Sequence, residues 1–443
     1  MPTNTSPDSF VRAIGLGRAT AMVVGTIIGA AIFVQPSLVS GAVPSTLGVL
    51  LVWSAAGGLT LIGALVTAEL SSAYPKTGGV YVFLREAYSP AVAYLWGWAM
   101  FWTMHSGIIA VIATIFARYL GHFLELGEAG TRAAAVGSIV VLSAVNYVGV
   151  RWGSALQTFF TAIKLLAVLA IVVLGVAFVA GAGAGAPVAS SEPFQPSPIT
   201  VGGFIAAMVA GLFTYGGWHM VTYAAEETTD PERTIPRALI IGTLTVTAAY
   251  IAVNAAYLAV LPMQQVVSSQ RVAADFADAV LGTSAGDALA ALVILSTLGG
   301  MTGVILAGPR VYLAMARDGL TFRWMGAVHP RYRTPHVAIG LQAAWSSVLV
   351  LTGTYRALFT RVVYTEWIFF ALMAGSLYFL RSRPGYAPAY HMRAHRLLAG
   401  VFIVSSGAIV LYQIVTQPAE SAMGLGMVAV GLPVYWLWSR KSS

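Results

Sequence analysis

The chain has 443 residues, 58% of them hydrophobic and 9% charged, with a mean hydropathy of +0.79 and a formal net charge of +8. That composition excludes a soluble enzyme and describes a polytopic membrane protein. There is no cysteine, hence no disulfide framework and no redox clue.

Residues 1–16 read as a cytoplasmic tail, without the basic stretch and apolar core of a cleaved signal peptide. Apolar runs long enough to cross a bilayer follow near 17–40, 46–72, 91–120, 132–149, 155–180 and 201–225. Six more fall near 237–261, 288–316, 336–353, 362–380, 396–416 and 421–438. These runs are continuous rather than alternating, so they predict about twelve transmembrane helices and not barrel strands.

Two of the runs are interrupted. The first holds Gly25-Thr26-Ile27-Ile28-Gly29-Ala30-Ala31-Ile32-Phe33 and then Pro36; the sixth breaks at Gly216-Gly217 and resumes through Trp218. Glycine costs a helix interior roughly 1 kcal/mol against alanine. In lipid, unwound backbone survives only inside protein or along a wet cavity. Each break alone is also compatible with a kink or with close helix packing. Together they occupy the first position of two successive sets of five spans. That correspondence points to an inverted-repeat transporter with its site at the breaks. The expected organisation is a first repeat at 17–180, a second at 201–380, and two further helices at 396–438.

Placing the N-terminus in the cytoplasm puts 18 lysines and arginines inside and 5 outside, with Lys164 left within a span. This asymmetry predicts that both termini are cytoplasmic. The +8 charge then reflects membrane orientation, and no like-charge run suggests a nucleic-acid partner. Seven scattered histidines show no metal spacing, and no phosphate-binding glycine loop follows a strand. Neither a catalytic centre, a cofactor nor ATP-driven transport is therefore expected.

Further motifs accompany the breaks. Ala68-Glu69-Leu70 precedes Pro75-Lys76-Thr77-Gly78-Gly79-Val80-Tyr81 and Arg85-Glu86-Ala87; Tyr215-Gly216-Gly217-Trp218 precedes Glu226-Glu227 and Asp230-Pro231. Gly308-Pro309-Arg310, Ala316-Arg317-Asp318-Gly319, His329-Pro330-Arg331 and Arg333-Thr334-Pro335 follow in order. In this set, from about residue 15 to 385, the chain resembles amino acid permeases of the amino acid–polyamine–cation superfamily, nearest the L-type transporter branch. The resemblance implies a LeuT-like 5+5 fold in a cell membrane. It also implies a Na⁺-independent transporter or exchanger of small to medium neutral L-amino acids. An amine or amino acid/amine antiporter, or proton-coupled uptake, are the alternatives. The expected partners are the substrate and the bilayer; an accessory subunit is not expected. Two departures stand out. Gly29-Ala30-Ala31 replaces a usual Gly-Ser-Gly, and His219 replaces a common asparagine.

The chemistry of such a site needs no charged side chain. Free N–H groups at a helix N-terminus suit a carboxylate, and free carbonyls at a helix C-terminus suit an ammonium. Following the family pattern, N–H groups near Ala30, Ala31 and Ile32 would take the carboxylate, with Gly29 beside them. Carbonyls near Thr26, Ile27, Phe213 and Thr214 would take the ammonium, with Gly216, Gly217 and His219 beside them. By the same pattern Phe213 is the outer gate. Lys164 either snorkels to the interface or, as in related permeases, replaces a coupling cation beside the first broken helix. His219 reads as a titratable site group or as a structural histidine, and His105 as structural. Glu69 reads as part of an inner gate or a packing ion pair. Glu366 has no nameable partner. Arg310 is expected to anchor the eighth span at the inner surface, and Glu226–Arg237 to form a solvated hinge with salt bridges.

Overall fold

A computed structural model of the chain describes residues 12–29, 31–182, 198–269, 271–282, 285–353 and 355–442. The described residues are helical almost throughout; their one strand-like pairing joins Ile14 to Thr228. The first span is split into α1 (Leu16–Ile27) and α2 (Ala31–Ala42), bent by 46°. Next come α3 (Thr46–Ala73), a short α4 (Val80–Ala87), and α5 (Pro90–Ala99), which continues through a π turn at Met100–Met104 into α6 (His105–Leu124). The half closes with α7 (Glu128–Val148) and α8 (Val150–Ala182).

The sixth span is α9 (Val201–Thr214) followed, after a turn, by a 3-10 run at Trp218–Glu227. Then come α10 (Pro231–Val260), short α11 (Met263–Ser268) and α12 (Val272–Leu281), α13 (Ala285–Arg317), a 3-10 turn at Arg323–Gly326, α14 (His336–Thr352) and α15 (Tyr355–Leu380). The chain ends with α16 (His395–Thr416), α17 (Pro418–Ala429) and α18 (Gly431–Ser442). Among the described residues nine helical stretches are long and apolar enough to cross a membrane. The bent α1–α2 pair and two shorter apolar stretches, His336–Thr352 and Tyr364–Leu380, fall where the remaining expected spans lie.

Helix ends follow local chemistry. Ser45, Ser89 and Thr200 each accept a hydrogen bond from the backbone N–H three residues on, which caps α3, α5 and α9. Pro90 and Pro231 open α5 and α10, where a missing N–H costs nothing. Three short helices do not appear among the expected runs. α4 stands where a loop was expected. α11 and α12 lie between the seventh and eighth spans and pack on α2. None is long enough to cross a bilayer, so hydropathy gives no sign of them. The last expected span is also divided, at Val430.

Packing sorts the spans by depth. The span over Ala290–Arg317 is 72% buried within the protein, whereas Ala155–Gly181 and His395–Thr416 are 28% buried and Pro418–Ser439 17%. The surface of α8 shows why: Leu166, Leu169, Val173 and Val176 recur every three or four residues and are all exposed. This is a lipid-facing stripe, the reverse of a soluble helix. α1 is held centrally, packed on α8, α10 and α13.

Candidate functional site

Both breaks meet at one place. α1 ends at Ile27, and Ile28 leaves the helix with ψ at 95°. α9 ends at Thr214, and Gly217 takes a left-handed φ of 98°. A β-carbon on Gly217 would stand 2.9 Å from the Thr26 carbonyl oxygen, so glycine is required by both conformation and space. The Thr26 hydroxyl donates to the Gly217 carbonyl at 3.1 Å, tying one break to the other.

The hydroxyl of Tyr250, on α10, lies 3.0 Å from the Ile27 carbonyl and 3.2 Å from that of Thr214. It therefore sits between the carbonyl ends of both broken helices. Tyr250 also packs on Tyr215 and Trp53, with ring centroids 4.9 and 5.6 Å away. Sequence reasoning missed this tyrosine, since nothing in the seventh apolar run separates it from a packing aromatic.

A small cavity of about 60 Å³ opens at the breaks. Of the expected site residues, Thr26, Ile27, Gly29, Ala31, Phe213, Thr214, Gly216 and Gly217 line it. Ala30 lies outside the described residues. Ile32 and His219 do not line the cavity. Ile32 is wholly buried in the core. The His219 ring packs against Trp218, Tyr223 and Phe370, at 5.3, 5.5 and 4.8 Å. It belongs to the wall's support because its bulk faces an aromatic cage. The remaining lining is largely apolar: Leu212, Trp218 and Met220 from the sixth span itself, Ile108, Val111, Ile112 and Ile115 on α6, Val304 on α13, and Trp367 and Phe370 on α15. Only spacing on these helices signalled a common face, and that does not say what the face meets.

Glu366, also on α15, lines the cavity. Among the described residues, the basic group beside it is His219 Nε2, at 3.8 Å. Lys164 is fully buried; its ammonium donates to the carbonyls of Gly25 at 3.0 Å and Ile28 at 2.6 Å. It thus pins α8 to the frayed end of α1. His105 contacts the Val304 carbonyl at 2.8 Å, joining α6 to α13 beside the cavity.

At one end of the bundle, ion pairs interlock several spans. Glu69 takes a two-point contact from Arg381, 2.7 and 2.5 Å, and accepts from the Met392 N–H at 2.7 Å. Arg310, expected to anchor the eighth span at the inner surface, is enclosed by protein. It is 2% exposed and paired through two nitrogens with Glu227, at 2.6 and 3.0 Å. The expected solvated hinge is accordingly buried at Glu227 and Thr228 and tied to Ile14. Glu226 does meet Arg317 nearer solvent, at 3.1 Å. Arg85 and the Tyr81 hydroxyl both engage Asp318. Burial first, then the Asp318 carboxylate, push the Tyr81 hydroxyl above its ordinary range, so it remains a donor at neutral pH.

Residues 14–437 match the family model described as "Amino acid permease". The chain is 30% identical to the b(0,+)-type amino acid transporter 1 of Homo sapiens, over 98% of this chain and 91% of that protein. It is 30% identical to the human Large neutral amino acids transporter small subunit 2, over 97% and 81%. To the Serine/threonine exchanger SteT of Bacillus subtilis (strain 168) it is 29% identical, over 99% and 100%.

Proposed function

Since the chain belongs to the amino acid permease family, a family of membrane transporters and not enzymes, we propose that it carries small to medium neutral L-amino acids without Na⁺, by exchange or facilitated transport. The observation that carries this reading is the joining of two helix breaks around one cavity by the Thr26–Gly217 bond and by Tyr250. The first turn of α2 leaves N–H groups without partners inside the helix, which suits a carboxylate. The carbonyl ends of α1 and α9 suit an ammonium. The carbonyls of Ile27 and Thr214 already meet the Tyr250 hydroxyl, but each has a second lone pair to offer.

In this reading 17–180 and 201–380 form inverted repeats that rock about the breaks, with 396–438 outside them. Phe213 is the outer lid, and Lys164 stands in for a coupling cation. The protein sits in the cell membrane with both termini cytoplasmic. The relatives' names support amino acid cargo. The words "small subunit" in one of them make a partner chain a concrete alternative to transport by this chain alone.

The test is uptake of a labelled amino acid panel into proteoliposomes holding only the purified chain, with choline replacing Na⁺. Uptake of alanine, serine or leucine, accelerated by internal amino acid, is the expected result. Stronger uptake of amines would select the antiporter alternative, and no uptake without a second chain would overturn autonomous transport. In the same assay Phe213→Ala should slow uptake at least severalfold with little change in equilibrium affinity, since a lid commits substrate rather than selecting it. An unaltered rate at equal protein would refute the gate.

A further inference from the structure

Among the described residues lining the cavity, Glu366 alone carries an ionisable side chain. The two threonine hydroxyls of that lining are engaged elsewhere: Thr26 donates to main-chain carbonyls including Met22 and Gly217, and Thr214 to Ala210. The indoles of Trp218 and Trp367 can donate but not accept. The donating threonine hydroxyls keep only neutral lone pairs, so Glu366 is the one carboxyl acceptor among these side chains, in surroundings of isoleucine, phenylalanine and tryptophan.

Among the described residues no group meets its hydrogen-bonding needs. The His219 nitrogen stands 3.8 Å away, beyond hydrogen-bond length. Both ring nitrogens of that histidine are buried and without a hydrogen-bond partner among the described residues. A carboxyl and an imidazole thus sit side by side in an apolar shell. Burying such groups unsatisfied is costly, and an ionisable residue at membrane depth marks a ligand or ion path by default. α15 is also a different element from the two that break. The free backbone groups of the breaks serve the invariant amine and carboxylate of an amino acid. What remains for the side chain is the wall to which Glu366 belongs.

We infer that Glu366 reads the substrate's side chain, and that the site favours amino acids whose side chain ends in a hydrogen-bond donor, a hydroxyl or an ammonium, over aliphatic ones of the same shape. The inference rests on this cavity being the amino acid site proposed above. A donor meets the carboxyl; an aliphatic isostere leaves it buried and unpaired. A pocket built around a polar contact discriminates against the analogue lacking it far more than an apolar pocket discriminates by size.

The experiment is calorimetric titration of the purified full chain with two isosteric pairs, L-threonine against L-valine and L-ornithine against L-norleucine. In wild type, the donor-bearing member of at least one pair should bind about tenfold or more tightly than its partner. The Glu366→Leu variant should bring that ratio to within about twofold. The Glu366→Gln variant, which keeps an acceptor without the charge, should retain threonine over valine and lose ornithine over norleucine. Preference in the hydroxyl pair supports the inference together with the neutral substrate class. Preference only in the ammonium pair supports the inference and overturns the neutral class. Wild-type ratios near one in both pairs overturn it outright, whether or not a variant folds, and so does a wild-type ratio that survives in Glu366→Leu. If none of the four amino acids binds, and neither alanine nor leucine does, the site itself falls and this inference with it.

Discussion

Gly217 is the residue at which the two broken spans touch. Its φ of 98° and the Thr26 carbonyl 2.9 Å from a would-be β-carbon leave no room for alanine. Gly217→Ala should therefore cost about 1–3 kcal/mol and abolish uptake. Gly58→Ala is the control: no heavy atom lies within 4 Å of its added carbon, so removing glycine flexibility in α3 should be neutral or slightly stabilising. Thermal denaturation in detergent, paired with uptake, checks both, and equal behaviour of the two variants would contradict the close approach. Lys164 makes the second residue-scale prediction. If its ammonium is a fixed replacement for a cation, wild-type uptake should ignore both choline substitution and a pH gradient between pH 5 and 8. Lys164→Ala should then be crippled at every pH, because the carbonyls of Gly25 and Ile28 lose their donor, about 1–3 kcal/mol for each group left unsatisfied. A gradient-driven wild type with an equilibrative mutant would instead make the lysine a proton carrier. A mutant indistinguishable from wild type would leave it no role in transport.

The elements are joined by buried polar contacts more than by sequence-local ones. The Arg310–Glu227 pair links α13 to the end of the sixth span with both side chains 2% exposed. Removing one partner strands the other, so Arg310→Met should cost about 3–5 kcal/mol. The double variant Arg310→Met with Glu227→Leu should recover much of that, because an apolar pair of similar volume often replaces a buried ion pair without loss. Melting temperatures of the three proteins in one detergent test this, and a single variant as stable as wild type would contradict it. The Glu69–Arg381 pair joins α3 to the turn just past α15, with Glu69 fully buried and Arg381 partly exposed. These pairs, with Tyr81 and Arg85 on Asp318, lock one end of the bundle while the cavity lies at the breaks. An inner gate closed by such pairs would open only if several broke together, which makes the transition cooperative.

For the whole molecule the open question of topology has a direct check, because the chain lacks cysteine. Lys76→Cys and Ala129→Cys each place a single thiol at an exposed position, the first between the second and third spans and the second at the start of the fourth. A membrane-impermeant maleimide applied to intact cells should label the second and not the first. The opposite pattern would invert the orientation drawn from the lysine and arginine count. Both positions are exposed, so neither substitution disturbs the packed centre around α1; the exposed apolar stripe of α8 and the largely unburied spans at the C-terminus mark surfaces that meet lipid.

The continuous apolar runs between residues 17 and 438 determined by themselves that this is a helical membrane protein and where the spans are expected, because a bilayer needs about twenty consecutive apolar residues and leaves little freedom. The glycines at 25, 29, 216 and 217 likewise announced the two breaks, since lipid tolerates unwound backbone only where something else satisfies it. Which side chains surround those breaks was decided by tertiary structure. Tyr250 and Glu366 are single residues in otherwise ordinary apolar runs, and no local pattern says that one reaches both breaks and the other lines the cavity. His219 shows the reverse. Its position beside Gly217 suggested a place in the site, yet the rotation of the 3-10 run turns it into an aromatic cage behind the wall. Arg310 reads as an interfacial anchor until its partner Glu227, 83 residues away in the chain, is seen beside it. Apolar length and glycine are local quantities that the bilayer reads directly; the pairing of distant polar groups depends on how helices rotate and pack, which only the folded chain specifies.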